Sequence, residues 1–122
     1  MGSVTSRRVL IVDDNVEMAE NIAEILQIDG HVTDVASSAE EALPKALATR
    51  PDVLLTDFRL PGLNGADLVK RCRGSGTDVL AIVMSAYTDE ATINAVRDAG
   101  AAFMPKPVDY RSLGRRLRDG HA

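Results

Sequence analysis

Three carboxylates, one hydroxyl and one ammonium group each stand just past a short apolar run in this chain of 122 residues. Asp13 and Asp14 follow the run at 9–12, Asp57 follows 53–56, Ser85 follows 79–84 and Lys106 follows 102–104. Taken singly, each has an ordinary reading. An Asp past a strand commonly caps a turn or helix, and an isolated Ser or Lys is commonly just solvated. Gathered in one place, they would make a specific chemistry possible. Clustered carboxylates repel one another, which favours protonation unless a cation is bound. Hard oxygen ligands with room for water suit Mg2+, which usually takes one or two carboxylates along with phosphate oxygens. A divalent ion beside an ammonium and a hydroxyl can hold a phosphoryl group in its transition state. Neither a Walker A nor a G-x-G-x-x-G pattern is present to bind a nucleotide. A carboxylate can itself accept a phosphoryl group as an acyl phosphate, and Asp57, alone after the third run, is the natural acceptor.

Such convergence requires that the five runs be parallel strands ending on one edge. The pattern predicts this. Strand-like stretches at 9–12, 32–36, 53–56, 79–84 and 102–104 alternate with stretches of helical spacing. Met18, Ile22, Ile25 and Leu26 mark a first helix stopped by Gly30. Ser38 and Glu41 form an S-x-x-E capping box for a second, which carries Ala39, Ala42, Leu43, Ala46 and Leu47 on one face. Pro44 lies inside it and should kink it or loosen a turn. Leu68, Val69 and Cys72 mark a third helix, Ile93, Val96 and Ala99 a fourth, and Leu113 and Leu117 a fifth. Near-continuous apolar strands alternating with helices imply a parallel sheet covered on both faces, a doubly wound α/β fold. In such sheets the functional crevice lies beyond the carboxyl ends of the strands.

Composition excludes several other classes. The chain is 45% hydrophobic and 26% charged, ordinary globular proportions, at a length that suits one domain. Aromatic residues are only 3%, with no Trp, so Val, Leu, Ile, Ala and Met must build the core. A net charge of −4 offers no basic stripe for nucleic acid, and only 111–118 is locally basic. Cys72 is the lone cysteine, so no intrachain disulfide or thiolate cluster can form, and a cytoplasmic setting is expected. The longest wholly apolar run, at 79–84, is far short of the roughly 18 residues a membrane span needs.

The ordered motifs Val12-Asp13-Asp14, Thr56-Asp57 with Leu60-Pro61-Gly62 and Gly65, Met84-Ser85-Ala86, and Lys106-Pro107 together resemble the receiver domain of two-component response regulators and hybrid histidine kinases. The resemblance covers about residues 8–117. It implies a flavodoxin-like, five-stranded sheet in the order 2-1-3-4-5 with five helices, a single receiver domain over 1–122 with its core at about 8–118 and 1–6 outside it. It implies that Asp57 accepts a phosphoryl group from a phosphohistidine on a histidine kinase or histidine phosphotransfer protein. Mg2+ would be bound by Asp14, Asp57 and the backbone carbonyl of Arg59, with Asp13 acting through water. Lys106 would neutralise one phosphoryl oxygen and Ser85 would move to hydrogen-bond another. Phe103, at the aromatic switch position, would turn inward with it. The response would reach a downstream protein or fused output domain through the face of the last strand and last two helices. The Lys106–Pro107 bond is expected to be cis. Such a domain assists its own phosphorylation and dephosphorylation and is not an enzyme in the ordinary sense.

Some features are particular to this chain. Phe103 replaces the frequent Tyr, and the span from Ser85 to Lys106 is one residue shorter than usual, so the fourth helix or its exit turn should be trimmed. Ala102 lacks the acid of receivers that dimerise through a charge network on their last helices. Arg59 and Tyr87, two residues after Asp57 and Ser85, flank the expected line of water attack and could form a partial lid that slows loss of the phosphoryl group. Two rival readings stand beside this one. An aspartate-nucleophile phosphatase of the haloacid dehalogenase type wants an acid two residues after the nucleophile, where this chain has Arg59. A receiver-like binding module without phosphorylation typically lacks an acid or the Lys, and this chain keeps them all.

Overall fold

In the computed structural model, which describes residues 6–119, the apolar runs become five parallel strands. These are β1 (Arg8–Val12), β2 (Val32–Ala36), β3 (Val53–Asp57), β4 (Leu80–Ser85) and β5 (Ala102–Pro105). They pair in the order β2-β1-β3-β4-β5, the expected one. Between and after them run α1 (Val16–Ile28), α2 (Ala39–Thr49), α3 (Gly65–Gly74), α4 (Glu90–Asp98) and α5 (Tyr110–Asp119). Asn15, Ser38, Asn64 and Asp89 cap the first four helices, each side chain accepting the N–H of the residue three further on.

Strand side chains alternate between two apolar layers, as the pleat requires. Leu10, Val12, Leu54, Ala81 and Val83 pack against α2, α3 and α4. Val9, Ile11, Leu55, Ile82 and Met84 pack against α1 and α5 through Ile22, Leu26, Leu113 and Leu117. The central strand β3 is buried along its whole length. Leu54 and Leu55 face opposite layers, each burial contributing about 1.5–3 kcal/mol. The few aromatic side chains stay out of this interior: Phe58 and Phe103 are half-buried, and Tyr87 and Tyr110 are exposed.

Three local expectations are modified. α2 continues through Pro44, whose ring lies on the exposed side where solvent can satisfy the carbonyl left without a donor. Leu47 is exposed, because α2 buries only the narrower stripe of Ala39, Ala42 and Ala46. Met18 and Ile25 are half-buried, and Ala19 and Ala23 take the inner positions of α1 instead. The fourth helix has nine residues, the shortest of the five described, in line with the trimmed span. Its exit is clamped by Arg73 of α3, whose guanidinium donates to the carbonyls of Ala99 at 2.8 Å, Gly100 at 2.9 Å and Val79 at 3.1 Å. Residues 1–5 and His121 lie outside the described residues; Ser6 donates its hydroxyl to the Gly30 carbonyl.

Candidate functional site

The carboxyl ends of β1, β3, β4 and β5 open on one edge of the sheet, and their backbones are tied beyond the last regular pairs. Phe58 N–H donates to the Met84 carbonyl at 2.7 Å, and Lys106 N–H donates to the Ser85 carbonyl at 2.9 Å. The loop after β3 is drawn in by a 2.7 Å bond from Gly65 N–H to the Phe58 carbonyl. A Cβ at Gly65 would overlap the carbonyl of Asp57, so only glycine lets the start of α3 approach the acceptor strand this closely.

On this edge Asp13, Asp14 and Asp57 come together, one carboxylate oxygen from each lying within 4.8 Å of the others. Asp13 and Asp57 are buried, while Asp14 is exposed at the rim. Lys106 reaches across from β5, its Nζ 3.2 Å from Asp13 Oδ2 and 3.4 Å from Asp57 Oδ2. Asp13 is further held by the Asn15 N–H at 3.0 Å. Burial pushes the Asp57 carboxyl above its ordinary range, and the nearby Asp13 charge adds to this; the Lys106 ammonium pulls the other way. A poorly solvated carboxylate of this kind is a better nucleophile than one spread with water.

Ser85, 1% exposed, ends β4 with its Oγ accepting the Tyr87 N–H at 2.9 Å. Phe103 is half-buried on the layer of α3 and α4. The Lys106–Pro107 peptide is cis. The Arg59 guanidinium lies over the Tyr87 ring, 4.4 Å from its centroid. The five strand-end groups thus lie at one edge, and Arg59 and Tyr87 are in contact.

Three contacts of the site lie beyond what the motifs specify. Thr56 donates its buried hydroxyl to the Asp57 carbonyl at 2.9 Å, Asn15 supports Asp13, and Asp89 lies close enough to feel the Arg59 charge. Asn15 and Asp89 were findable as polar residues just before helical periodicity. The Thr56 contact has no sequence signal. The Asp89 carboxyl is held below its usual range mainly by the Thr92 N–H and hydroxyl, with Arg59 adding to this.

The donor set is all oxygen, with three carboxylates converging and an open rim at Asp14, which fits a hard divalent cation better than a soft metal. The edge can therefore hold a cation and a small anion together, with the ammonium at one side and a hydroxyl at another.

Comparison with known proteins points the same way. Residues 9–118 match the response regulator receiver domain. The chain is 45% identical over 103 residues to a response regulator receiver protein of Anaeromyxobacter sp. strain Fw109-5, covering 84% of this chain and 43% of that protein. It is 33% identical over 114 residues to the response regulator MprA of Mycobacterium tuberculosis, covering 93% of this chain and 50% of that protein. The chain spans about half the length of the curated relatives it matches. The solved structure of the chemotaxis response regulator CheY4 of Vibrio cholerae superposes with a TM-score of 0.85 at 26% identity, covering 95% of this chain and 99% of that one.

Proposed function

Since the chain belongs to the response regulator receiver family, we propose that it is a phosphoacceptor of a two-component relay, with Asp57 receiving the phosphoryl group of a phosphohistidine. The donor would be a histidine kinase or a histidine phosphotransfer protein. One observation carries this reading: Asp57 ends the wholly buried β3 with its carboxyl 3.4 Å from Lys106 and within the Asp13–Asp14 cluster. An Asp57 carboxylate oxygen forms the new O–P bond as the N–P bond of the donor breaks, and the leaving imidazole nitrogen takes a proton from water. Lys106 is positioned to neutralise a transferring oxygen, because its Nζ already lies against the acceptor. Ser85 would exchange the Tyr87 N–H for a phosphoryl oxygen, drawing the loop after β4 inward. Phe103, half-buried on β5 and paired with Val83 of β4, would follow and change the surface of α4, β5 and α5.

Asp14, Asp57 and the Arg59 carbonyl would hold Mg2+ directly, with Asp13 acting through a water. When bound, Mg2+ supplies the charge that neutralises the acid cluster and the transferring oxygens. The output would pass to a downstream protein or a fused domain in a cytoplasmic setting, where Cys72 stays reduced. Lys106, Asp13 and Asp14 all being present favours this over an unphosphorylated binding module, and Arg59 leaves a phosphatase without its second acid. The test is the intact mass after incubation with acetyl phosphate, with and without Mg2+. Gain of one phosphoryl group in wild type, dependent on Mg2+ and absent in Asp57→Asn, is expected; equal labelling of the variant refutes the reading.

A further inference from the structure

Along α4 only Thr92 and Val96 are buried, and the stretch that leads into it, residues 86–90, is exposed throughout. Its two ends are held in different ways. At the start the ties are local: Tyr87 N–H donates to Ser85 Oγ at 2.9 Å, and Thr92 N–H to Asp89 Oδ2 at 3.0 Å. At the exit a side chain from another helix takes over. Arg73, in the last turn of α3, donates from Nη1 to the carbonyls of Ala99 at 2.8 Å and Gly100 at 2.9 Å. Its Nη2 donates to the carbonyl of Val79, just before β4, at 3.1 Å. Arg73 forms no ion pair among the described residues. A helix leaves its last carbonyls without internal donors and its C-terminus favours a cation, so Arg73 caps α4 from outside. Gly100 makes room for this cap: its φ of 76° is the left-handed turn, and a Cβ there would overlap Arg73 Nη1.

We propose that Arg73 is a positioning residue for the switch, fixing the C-terminal end of α4 so that the pull from Ser85 tilts this helix about that end. The proposal rests on the reading that Asp57 is phosphorylated. The stretch leading into α4 is tied to Ser85 through the Tyr87 N–H, so an inward move of Ser85 is delivered at the start of the helix. Nine residues at about 1.5 Å each make an arm of roughly 13 Å. A shift of about 1–2 Å at its start, ordinary for helices in such transitions, tilts the arm by roughly 4–9°. The Val79 carbonyl ties the pivot to the end of β4 opposite Ser85, which the switch does not move. Without the pin, the same pull would carry through the last turn of α4 into β5 at Ala102.

Backbone amide exchange and amide shifts by nuclear magnetic resonance test this in wild type, Arg73→Met and Arg73→Lys, with the intact mass of each sample reporting the label. At rest, the amides of Ala99, Gly100 and Ala101, bonded to Ala95, Arg97 and Val96, should exchange at least about tenfold faster in Arg73→Met. That factor is about 1.4 kcal/mol, the scale of one hydrogen bond. Thr92 and Ile93 should change less than about twofold. Arg73→Lys should fall between, since an ammonium cannot span three carbonyls as a planar fork does. After acetyl phosphate and Mg2+, wild-type shifts should decline from Tyr87 to Ala99, while in Arg73→Met, labelled to the same extent, they should persist through Ala102. Unchanged resting exchange at 99–101 overturns the proposal, as does a wild-type shift at Ala99 as large as at Tyr87. Absence of label in wild type refutes the phosphoacceptor reading instead, and the resting exchange then decides whether the pin exists.

Discussion

Replacing Arg59 and Tyr87 together by Ala should shorten the life of the phosphorylated state. The guanidinium stacks on the ring at 4.4 Å, well within the roughly 6 Å at which such pairs attract. Tyr87 is 49% exposed, so the pair belongs at the weaker end of the scale, about 0.5–1 kcal/mol. If water must part this contact to reach phospho-Asp57 in line, the closed arrangement outweighs the open one about 2–5-fold, and so does the rate it suppresses. Asp89, whose carboxyl feels the Arg59 charge, forms no ion pair with it and adds at most a longer-range pull on the guanidinium. Neither side chain can act as a base near neutral pH, so their removal takes away obstruction and leaves the chemistry in place. The Tyr87 N–H bond to Ser85 is a backbone contact and survives the change. The assay follows loss of label after removal of acetyl phosphate, for wild type, both single variants and the double. Rates about 2–5 times faster in the double variant are expected, with the singles each close to it because either deletion breaks the stack. A double variant that dephosphorylates no faster than wild type refutes the lid.

Gly65→Ala forces a methyl into the Asp57 carbonyl, a backbone group that cannot swing away. Overpacking of this kind costs about 1–3 kcal/mol, a fall of roughly 4–12 °C in Tm, and an unchanged melt would contradict the close approach. Asp14→Ala removes one member of a mutually repelling cluster, so its melt without Mg2+ should rise slightly, while Mg2+ should stabilise it less than wild type. Undiminished Mg2+ stabilisation would show that Asp14 is not a direct ligand. His31 is buried, its Nδ1 accepts the Arg7 N–H at 3.1 Å, and burial holds its pKa below the ordinary value, the Arg7 charge adding to this against the opposing pull of Asp29. The unfolded chain therefore binds the proton first, so the stability His31 contributes is whole above about pH 6.5 and is lost as pH falls toward the folded-state value. Nuclear magnetic resonance should place its titration midpoint below about 6.5, and His31→Gln should flatten the stability profile there; a midpoint above it contradicts the assignment.

The strand ends were the readable part of this protein. Apolar runs bounded by Asp13, Asp57, Ser85 and Lys106 imply that these groups meet on one edge, because parallel strands in a doubly wound sheet share their carboxyl ends. The Arg59–Tyr87 stack was legible for a similar reason, each residue standing two past a strand-end group. What periodicity could not resolve was how deep each helix sits. Leu47 has helical spacing yet is exposed, since α2 buries only the stripe of Ala39, Ala42 and Ala46. Arg73 reads as an ordinary surface charge, and its clamp on Ala99, Gly100 and Val79 depends on chain segments far from it in sequence.

The central claim is that Asp57 carries the phosphoryl group, and reductive trapping reads that residue directly. An acyl phosphate on aspartate is reduced by borohydride to homoserine, which peptide mass spectrometry locates. After transfer from a phosphohistidine donor in Mg2+, the account predicts homoserine at position 57 and at no other acid of the cluster. Homoserine at Asp13 or Asp14, or none in a chain that has gained the label, would contradict it.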